Sequence, residues 1–459
     1  MSSSMQADVL CAEIGSTTTV VNAFKGIGTA EPRLTGQGFA PTSVLEGDVT
    51  IGLNAALKNL KEKLGCGDLS WKRFLASSSA AGGLRMTVHG LVYDMTVRAA
   101  KEAALGAGAN IHQVTAGRLR RTELKKLVEL RPNIIMIAGG VDYGERDTAL
   151  DNAEKIAALK LNIPVIYAGN VQNHEEIREI FQDSDNRLYI VDNVYPVIDR
   201  MEVLPARRVI QQVFEEHIVH APGMEQIRSL VDGRLIPTPG AVMEATRFLN
   251  EELGDLITFD VGGATTDIHS VTEGSENISR IQIYPEPDAK RTVEGDLGVY
   301  VNRMNVLELS DLRRLSRKTG IEEENLESAV RELKAVPETE SQRILVGELS
   351  FTALKTGLHR HAGKYRDSFA SGGKKTVAMG RDLTALNYAV GTGGALTRLG
   401  IGSQLIEEVF ATGQKYDLLP PALPKILIDT KYIMASLGVL STEYPEDAVH
   451  LFRHYLENN

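Results

Sequence analysis

The sequence predicts an α/β protein built as two lobes, and three observations carry that expectation. The chain has 459 residues, more than a single hydrophobic core usually serves. Two segments far apart in the chain share one make-up: an acid ending an apolar run, then glycine, then hydroxyls, then a second apolar run. Between them, apolar runs alternate with segments of helical spacing, the pattern of βαβ units with right-handed crossovers.

Composition narrows the function classes. With 43% hydrophobic and 24% charged residues the chain reads as an ordinary soluble globular protein. Fifty Lys and Arg against 60 Asp and Glu leave a formal charge of −10, a poor match to a nucleic-acid backbone. The most basic cluster, Arg118, Arg120, Arg121, Lys125 and Lys126, reads as a solvated helix face. Two cysteines, Cys11 and Cys66, exclude a disulfide scaffold and a four-cysteine metal site within one chain. No run approaches the roughly 20 apolar residues of a membrane helix. Met1–Asp8 lacks the basic and apolar regions of a signal peptide, so the cytoplasm is the expected location.

Taken in order, Asp8–Gly28 reads as a β-hairpin, being rich in Val and Thr around a central Gly-Ser. In Gly52–Leu64 the residues Leu53, Ala56, Leu57, Leu60 and Leu64 fall on one helical face. Lys72–Ser77 is a strand. The run Ile134–Ala138, ending in Gly139-Gly140, suits a buried parallel strand. A helix from about Arg146 to Leu159, strands at Pro164–Tyr167 and Leu188–Asp192, and a helix near Val197–His217 follow. A second strand-rich block opens at Leu256. Ile321–Tyr365 is helical and charged, interrupted at Pro337, and Thr376–Leu399 is a strand–loop–helix unit. Ile426–Leu440 closes with a strand and a helix. The expected division is a first lobe over 1–240, with an inserted α/β region at about 80–233, and a second lobe over 241–459, with a helical part at about 300–370.

Chemistry concentrates in three stretches. Glu13-Ile14-Gly15-Ser16-Thr17-Thr18-Thr19 and Asp260-Val261-Gly262-Gly263-Ala264-Thr265-Thr266-Asp267 each set an acid before glycines and hydroxyls. Glycine lets backbone N–H groups approach an anion, and hydroxyls add donors. Like charge bars the acids from phosphate itself; their sensible task is to hold Mg²⁺ that neutralises phosphates. The two hairpins read as halves of a clamp on a nucleotide's phosphate tail. Third, Tyr388–Thr397 runs from an apolar strand into Gly391-Thr392-Gly393-Gly394, where bare backbone suits a nucleoside face.

These three pieces in this order resemble the actin/Hsp70/sugar-kinase superfamily, whose lobes are ribonuclease H-like. Nearly the whole chain is similar to the GlmL/MutL family, through AEIGSTTTVVNAF, GANIHQVTAGRL, IIMIAGGVDYGERDTALDNA, DLITFDVGGATTDIHSV, RTVEGDLGV, AVGTGGALTRLG and ILIDTKYIMASLGVLS. The resemblance implies a two-lobed actin-like ATPase fold with additional α/β material in the first half. It also implies an accessory, reactivating protein of an adenosylcobalamin-dependent mutase, such as glutamate mutase or ornithine aminomutase, using ATP and Mg²⁺ to release damaged cobalamin. On that pattern Gly15, Ser16, Thr17 and Thr18 take the first phosphate role, and Gly262, Gly263, Thr265 and Thr266 the second. Gly391, Gly393 and Gly394 form the adenosine loop. Glu13 and Asp260 are the metal-side carboxylates, and Glu13, Asp260 and Asp267 the catalytic candidates. Partners implied are the mutase and a nucleotide, with a homo-oligomer compatible and no nucleic acid or membrane.

Two departures stand out. The superfamily commonly has Asp where this chain has Glu13, whose extra methylene still reaches a hydrated Mg²⁺. Tyr143 occupies a place in Gly139–Gly144 where a glycine is expected, and Asp142 reads as a local backbone-bonding residue. Rival readings of the same fold are a small-molecule kinase, an ATP-dependent hydantoinase or oxoprolinase-like enzyme, and a dehydratase activator that would need cluster-bridging cysteines. No H-E-x-x-H, Walker or G-x-S-x-G pattern occurs, and His359 and His361, two apart, would diverge on a helix.

Overall fold

The computed structural model describes residues 3–15, 17–43, 48–79, 84–218, 224–370 and 373–457. The chain opens with strands β1 (Ser3–Ile14), β2 (Thr18–Lys25), β3 (Arg33–Pro41) and β4 (Cys66–Ser78). Next come β5 (Leu84–Gly90), β6 (Ala109–Ala116), β7 (Ile134–Ile137), β8 (Val165–Tyr167), β9 (Leu188–Ile190) and β10 (Leu235–Pro237). The second half holds β11 (Leu256–Val261), β12 (Thr266–Val271), β13 (Ala289–Glu294), the hairpin β14 (Lys364–Ala370) and β15 (Gly373–Met379), β16 (Tyr388–Thr392) and β17 (Lys425–Ile428).

Two five-stranded sheets have the same plan. One has the order β10-β4-β1-β2-β3 and the other β17-β16-β11-β12-β13. In each, the leading strand pairs antiparallel with the next and parallel with the strand on its other side. These are two ribonuclease H-like lobes, and the fold is the two-lobed α/β actin-like one. Strands β1 and β11 are central, so both faces are covered, and Val9, Leu10, Cys11, Ile257, Phe259 and Val261 are all buried.

Helices Thr238–Leu253 and Met434–Ser441 lie between the lobes. Their apolar residues share a core with Val9, Phe24 and Leu75 of one sheet and Leu256, Val390 and Leu427 of the other. At the crossing, a Cβ on Gly438 would stand 1.8 Å from the Ala241 carbonyl oxygen. Only glycine permits that approach.

Between β4 and β10 the chain departs to build a separate sheet, β6-β5-β7-β8-β9, parallel throughout. Its order is that of a doubly wound sheet, with a topological switch between β5 and β7. Helices such as Asp147–Ala158 and His174–Gln182 cover it. The helix expected near Val197–His217 begins only at Leu204. Pro205 is tolerated only in a first turn, and the segment before it turns instead through Asp199 at φ 63°.

The helical block packs around Glu340–His361, a 22-residue helix preceded at Thr339 by a side-chain N-cap on Gln342. His359 and His361 do diverge. His359 meets Asp417, whereas His361 bonds Thr292 and Ser270. Among the described residues no helix is long and apolar enough to cross a membrane.

Candidate nucleotide cleft

The two hairpins turn alike. In the first, Gly15 N donates to Thr18 O at 3.0 Å; in the second, Gly262 N donates to Thr265 O at 2.9 Å. Each turn sits two residues past an acid, Glu13 and Asp260. The tips face one another: a Cβ on Gly263 would lie 3.4 Å from Thr17 Cγ2. The sequence similarity of the two stretches is therefore a spatial apposition.

Around these tips opens a cavity of about 500 Å³, a size suited to a small-molecule ligand. Of the residues singled out from sequence, Glu13, Gly15, Thr17, Thr18, Asp260, Gly262, Gly263, Thr265, Asp267 and Gly394 line it. Ser16 lies outside the described residues. Two others belong elsewhere. Thr266 is fully buried, its hydroxyl donating to Leu297 O at 2.8 Å, because it precedes cleft-lining Asp267 on β12 and so points to the opposite face. Gly391 is packed against Ile428, Ile406 and Leu396 inside the second lobe, three residues before Gly394, which lines the cleft.

Gly393 acts beneath the cavity rather than on it. It sits at φ 84°, and a Cβ there would come within 2.6 Å of Asp260 Oδ1. Glycine at this place lets the Asp260 carboxylate occupy its position, next to the start of helix Gly394–Arg398.

Four carboxylates gather at the floor. Burial and the neighbouring Asp260 push the Glu13 carboxyl up to about 8, with only partial relief from Tyr432, whose hydroxyl donates to Oε1 at 3.2 Å. Burial and Asp267 raise Asp260 to about 7, against the pull of Arg291. Asp429 is also raised by burial, although it accepts from Ile433 N, Met434 N and the Thr392 hydroxyl. Asp267 is placed differently. Its Oδ1 accepts from Arg291 Nη2 at 2.6 Å and Nε at 3.0 Å, and Oδ2 accepts from the Thr265 hydroxyl at 2.9 Å. The pair is buried.

Glu13 and Asp260 thus form a hard-oxygen pair that repels itself unless a proton or a cation intervenes. Such a donor set fits Mg²⁺, which is commonly held by one or two carboxylates, waters and substrate phosphates. Among the described residues no group of three or more acids, cysteines or histidines is placed to hold a metal ion by itself, so waters and phosphates would complete the coordination.

Sequence reasoning did not find Tyr432, Arg398, Arg291, or the wall formed by Lys334–Pro337 and Arg343, nor Asp429, which lies beneath the cleft with Glu13, Asp260 and Tyr432. Arg398 lies 5.0 Å from the Phe39 ring of the first lobe and 5.5 Å from that of Tyr432. ILIDTKYIMASLGVLS contains Asp429 and Tyr432, and RTVEGDLGV contains Arg291; both stretches had carried resemblance but no chemistry. Asp142, expected to bond nearby backbone, instead accepts from Val171 N, 29 residues further along the chain, at 3.0 Å. Both cysteines are buried in the first lobe.

The family profile described as MutL protein matches residues 9–456. The Protein MutL of Clostridium tetanomorphum is 34% identical over 431 residues, covering 90% of this chain and 92% of its own. Similar solved structures are more distant. The nucleotide-free acetone carboxylase structure shares 11% identity at a TM-score of 0.42, over 95% of this chain and 70% of the other. A glycerol dehydratase reactivase shares 11% at 0.34, over 95% and 99%. Superpositions this loose add nothing to what the sequence match establishes: the chain belongs to the MutL protein family.

Proposed function

We propose that this protein is a Mg²⁺-dependent ATPase that acts as a reactivating factor for an adenosylcobalamin-dependent mutase, of the glutamate mutase or aminomutase kind, and works in the cytoplasm. The observation that carries the ATPase part is the tip-to-tip meeting of two identically closed glycine–hydroxyl turns over the Glu13 and Asp260 carboxylates. Membership of the MutL family, and the resemblance it brings to mutase accessory proteins, supports the choice of client.

In this reading the backbone N–H groups of the two turns and the hydroxyls of Thr17, Thr18 and Thr265 cradle the phosphates. Glu13 and Asp260 would hold Mg²⁺, which supplies charge neutralisation of the phosphoryl group as it transfers. Asp267 is committed to Arg291 and Thr265, so its part is to fix the second hairpin. Orientation of the attacking water falls to Glu13 or Asp260, the two acids whose carboxyls are shifted up to exchange a proton near neutrality. Gly394, Arg398 and Leu399 on one side and Lys334–Pro337 with Arg343 on the other would wall the nucleoside. Closure of the lobes on ATP and relaxation on ADP would alter affinity for the client.

The test is recovery of a hydroxocobalamin-inactivated glutamate mutase or ornithine aminomutase with the protein, Mg-ATP and free adenosylcobalamin. Recovery that requires ATP and is lost with Asp260→Ala is expected. Hydrolysis without recovery of either enzyme would discard the client, and a wild type that neither binds nor hydrolyses ATP would discard the function.

A further inference from the structure

We propose that the carboxyl-end face of the inserted parallel sheet is a docking surface for a folded protein whose contact patch is apolar at its centre and acidic on one flank. The inference rests on the reactivating-factor reading, in which that protein is the mutase, and names the place and chemistry of its contact.

Because β5 to β9 all run in one direction, the loops that follow them emerge together at one end of the sheet. Six exposed apolar side chains are carried there. Val92 and Tyr93 follow β5, Tyr143 follows β7, Val171 follows β8, and Val197 and Ile198 follow β9. Single exposed apolar residues are ordinary; six on four neighbouring loops are a patch. Tyr143, at 78%, and Ile198, at 67%, are the most open. Apolar side chains clustered this way mark interaction surfaces more often than they occur by chance.

The face is pre-organised by buried polar residues. Asp142 Oδ1 accepts from Val171 N and from Asn193 Nδ2 at 2.9 Å, while Asp142 N donates to Pro196 O at 2.8 Å, so one residue ties three loops. Asn170, fully buried, accepts from Tyr143 N at 3.1 Å and donates to Gly144 O at 3.2 Å. Such pinning lowers the ordering cost of association. Tyr143 is held at φ 63°, a left-handed conformation that costs an aromatic residue free energy. Its ring makes no aromatic or cation–π contact among the described residues. The strain presents a ring outward rather than filling a core.

Charge identifies the flank. Gly117 N donates to Gly90 O at 2.8 Å, which sets the loop after β6 beside the one after β5. That loop carries Arg118 and Arg120, ahead of the helix face expected for this cluster, and Arg121 opens the helix Arg121–Leu130; all three are exposed and without an ion pair among the described residues. A positive flank on a chain of net charge −10 favours an acidic rim on the partner and speeds encounter with it. An aromatic and aliphatic centre is the composition of protein interfaces.

The test compares wild type with Tyr143→Ser/Ile198→Ser and with Arg118→Glu/Arg121→Glu, measuring binding to purified glutamate mutase and ornithine aminomutase and, separately, Mg-ATP hydrolysis. The expected result is at least a tenfold loss of affinity in the serine variant. The charge variant should associate more slowly and show a flattened or inverted salt dependence, and both should hydrolyse ATP as wild type does. If wild type binds a mutase and the serine variant binds it equally well, the surface is wrong and the functional reading stands. If wild type binds neither mutase in any nucleotide state, that reading fails and the surface falls with it. Conversion of a wild-type dimer to monomer by the serine changes, or loss of binding to phosphatidylserine vesicles, with mutase binding intact, would assign the face to a second copy or to a lipid surface and overturn the proposal.

Discussion

At the scale of single residues, the cleft is organised by carboxylates that lack enough positive charge around them. Arg291 neutralises Asp267, while Glu13 and Asp260 are left with elevated proton affinities. Each binds a proton more tightly in the folded chain than in the unfolded one, so between their unfolded and folded values the folded state holds more protons. Stability of the nucleotide-free protein therefore falls as pH rises from about 5 to about 8. Thermal unfolding across that range should show the decline, and Asp260→Asn or millimolar Mg²⁺ should flatten it. A stability that climbs with pH over the interval would contradict the arrangement of these groups.

Elements place those residues, and they decide what could be read in advance. The hairpins were legible because each is local: acid, glycine and hydroxyl follow one another within a few positions, and two copies advertise one another. Of Gly391, Gly393 and Gly394, the three glycines expected to form a nucleoside loop, only Gly394 lines the cavity. Gly391 lies within β16, whose pairing with β11 and β17 buries it, while Gly394 reaches the cavity as the first residue of the helix that follows. Tyr432, Asp429 and Arg398 were not legible as site residues. Asp429 and Tyr432 reach Glu13 and Asp260 only once β17 and the helix after it dock between the lobes, and Arg398 only once helix Gly394–Arg398 meets Phe39 of the first lobe, contacts with no local trace in sequence. The helix pair behind that docking depends on Gly438. Gly438→Leu should cost about 1–3 kcal/mol through overpacking at the crossing, seen as a lowered midpoint in urea; an unchanged midpoint would show the helices free to separate.

Over the whole molecule, the cleft and the inserted sheet are joined through buried charge. Arg291 holds Asp267 and also donates from Nη1 to Leu105 O at 3.1 Å and Ala109 O at 3.4 Å, in the segment that ends helix Arg98–Gly106 and starts β6. Arg207 adds a bond to Ala289 O at 2.6 Å, and Lys290 sits between Glu102 and Glu286. The second hairpin is therefore linked by hydrogen bonds to the inserted region. Arg291→Met would leave Asp267 buried and unpaired, at a cost of about 3–5 kcal/mol. Hydrogen exchange should show ATP altering protection over 98–109 in the wild type and not in the variant; an ATP response preserved in Arg291→Met would place the coupling elsewhere. The equivalence of the two lobes was foreseeable from the paired motifs, whereas this junction was not, because its residues come from three distant stretches.

The central claim is that the two hairpins and their acids hold a magnesium-bound nucleotide, and calorimetric titration of Mg-ATP tests it most directly, with wild type set against Glu13→Gln/Asp260→Asn. One site per chain, with affinity in the double variant lower by about 3 kcal/mol, on the order of a hundredfold, is the predicted result. Absence of binding by the wild type, or equal binding by the variant, would contradict it.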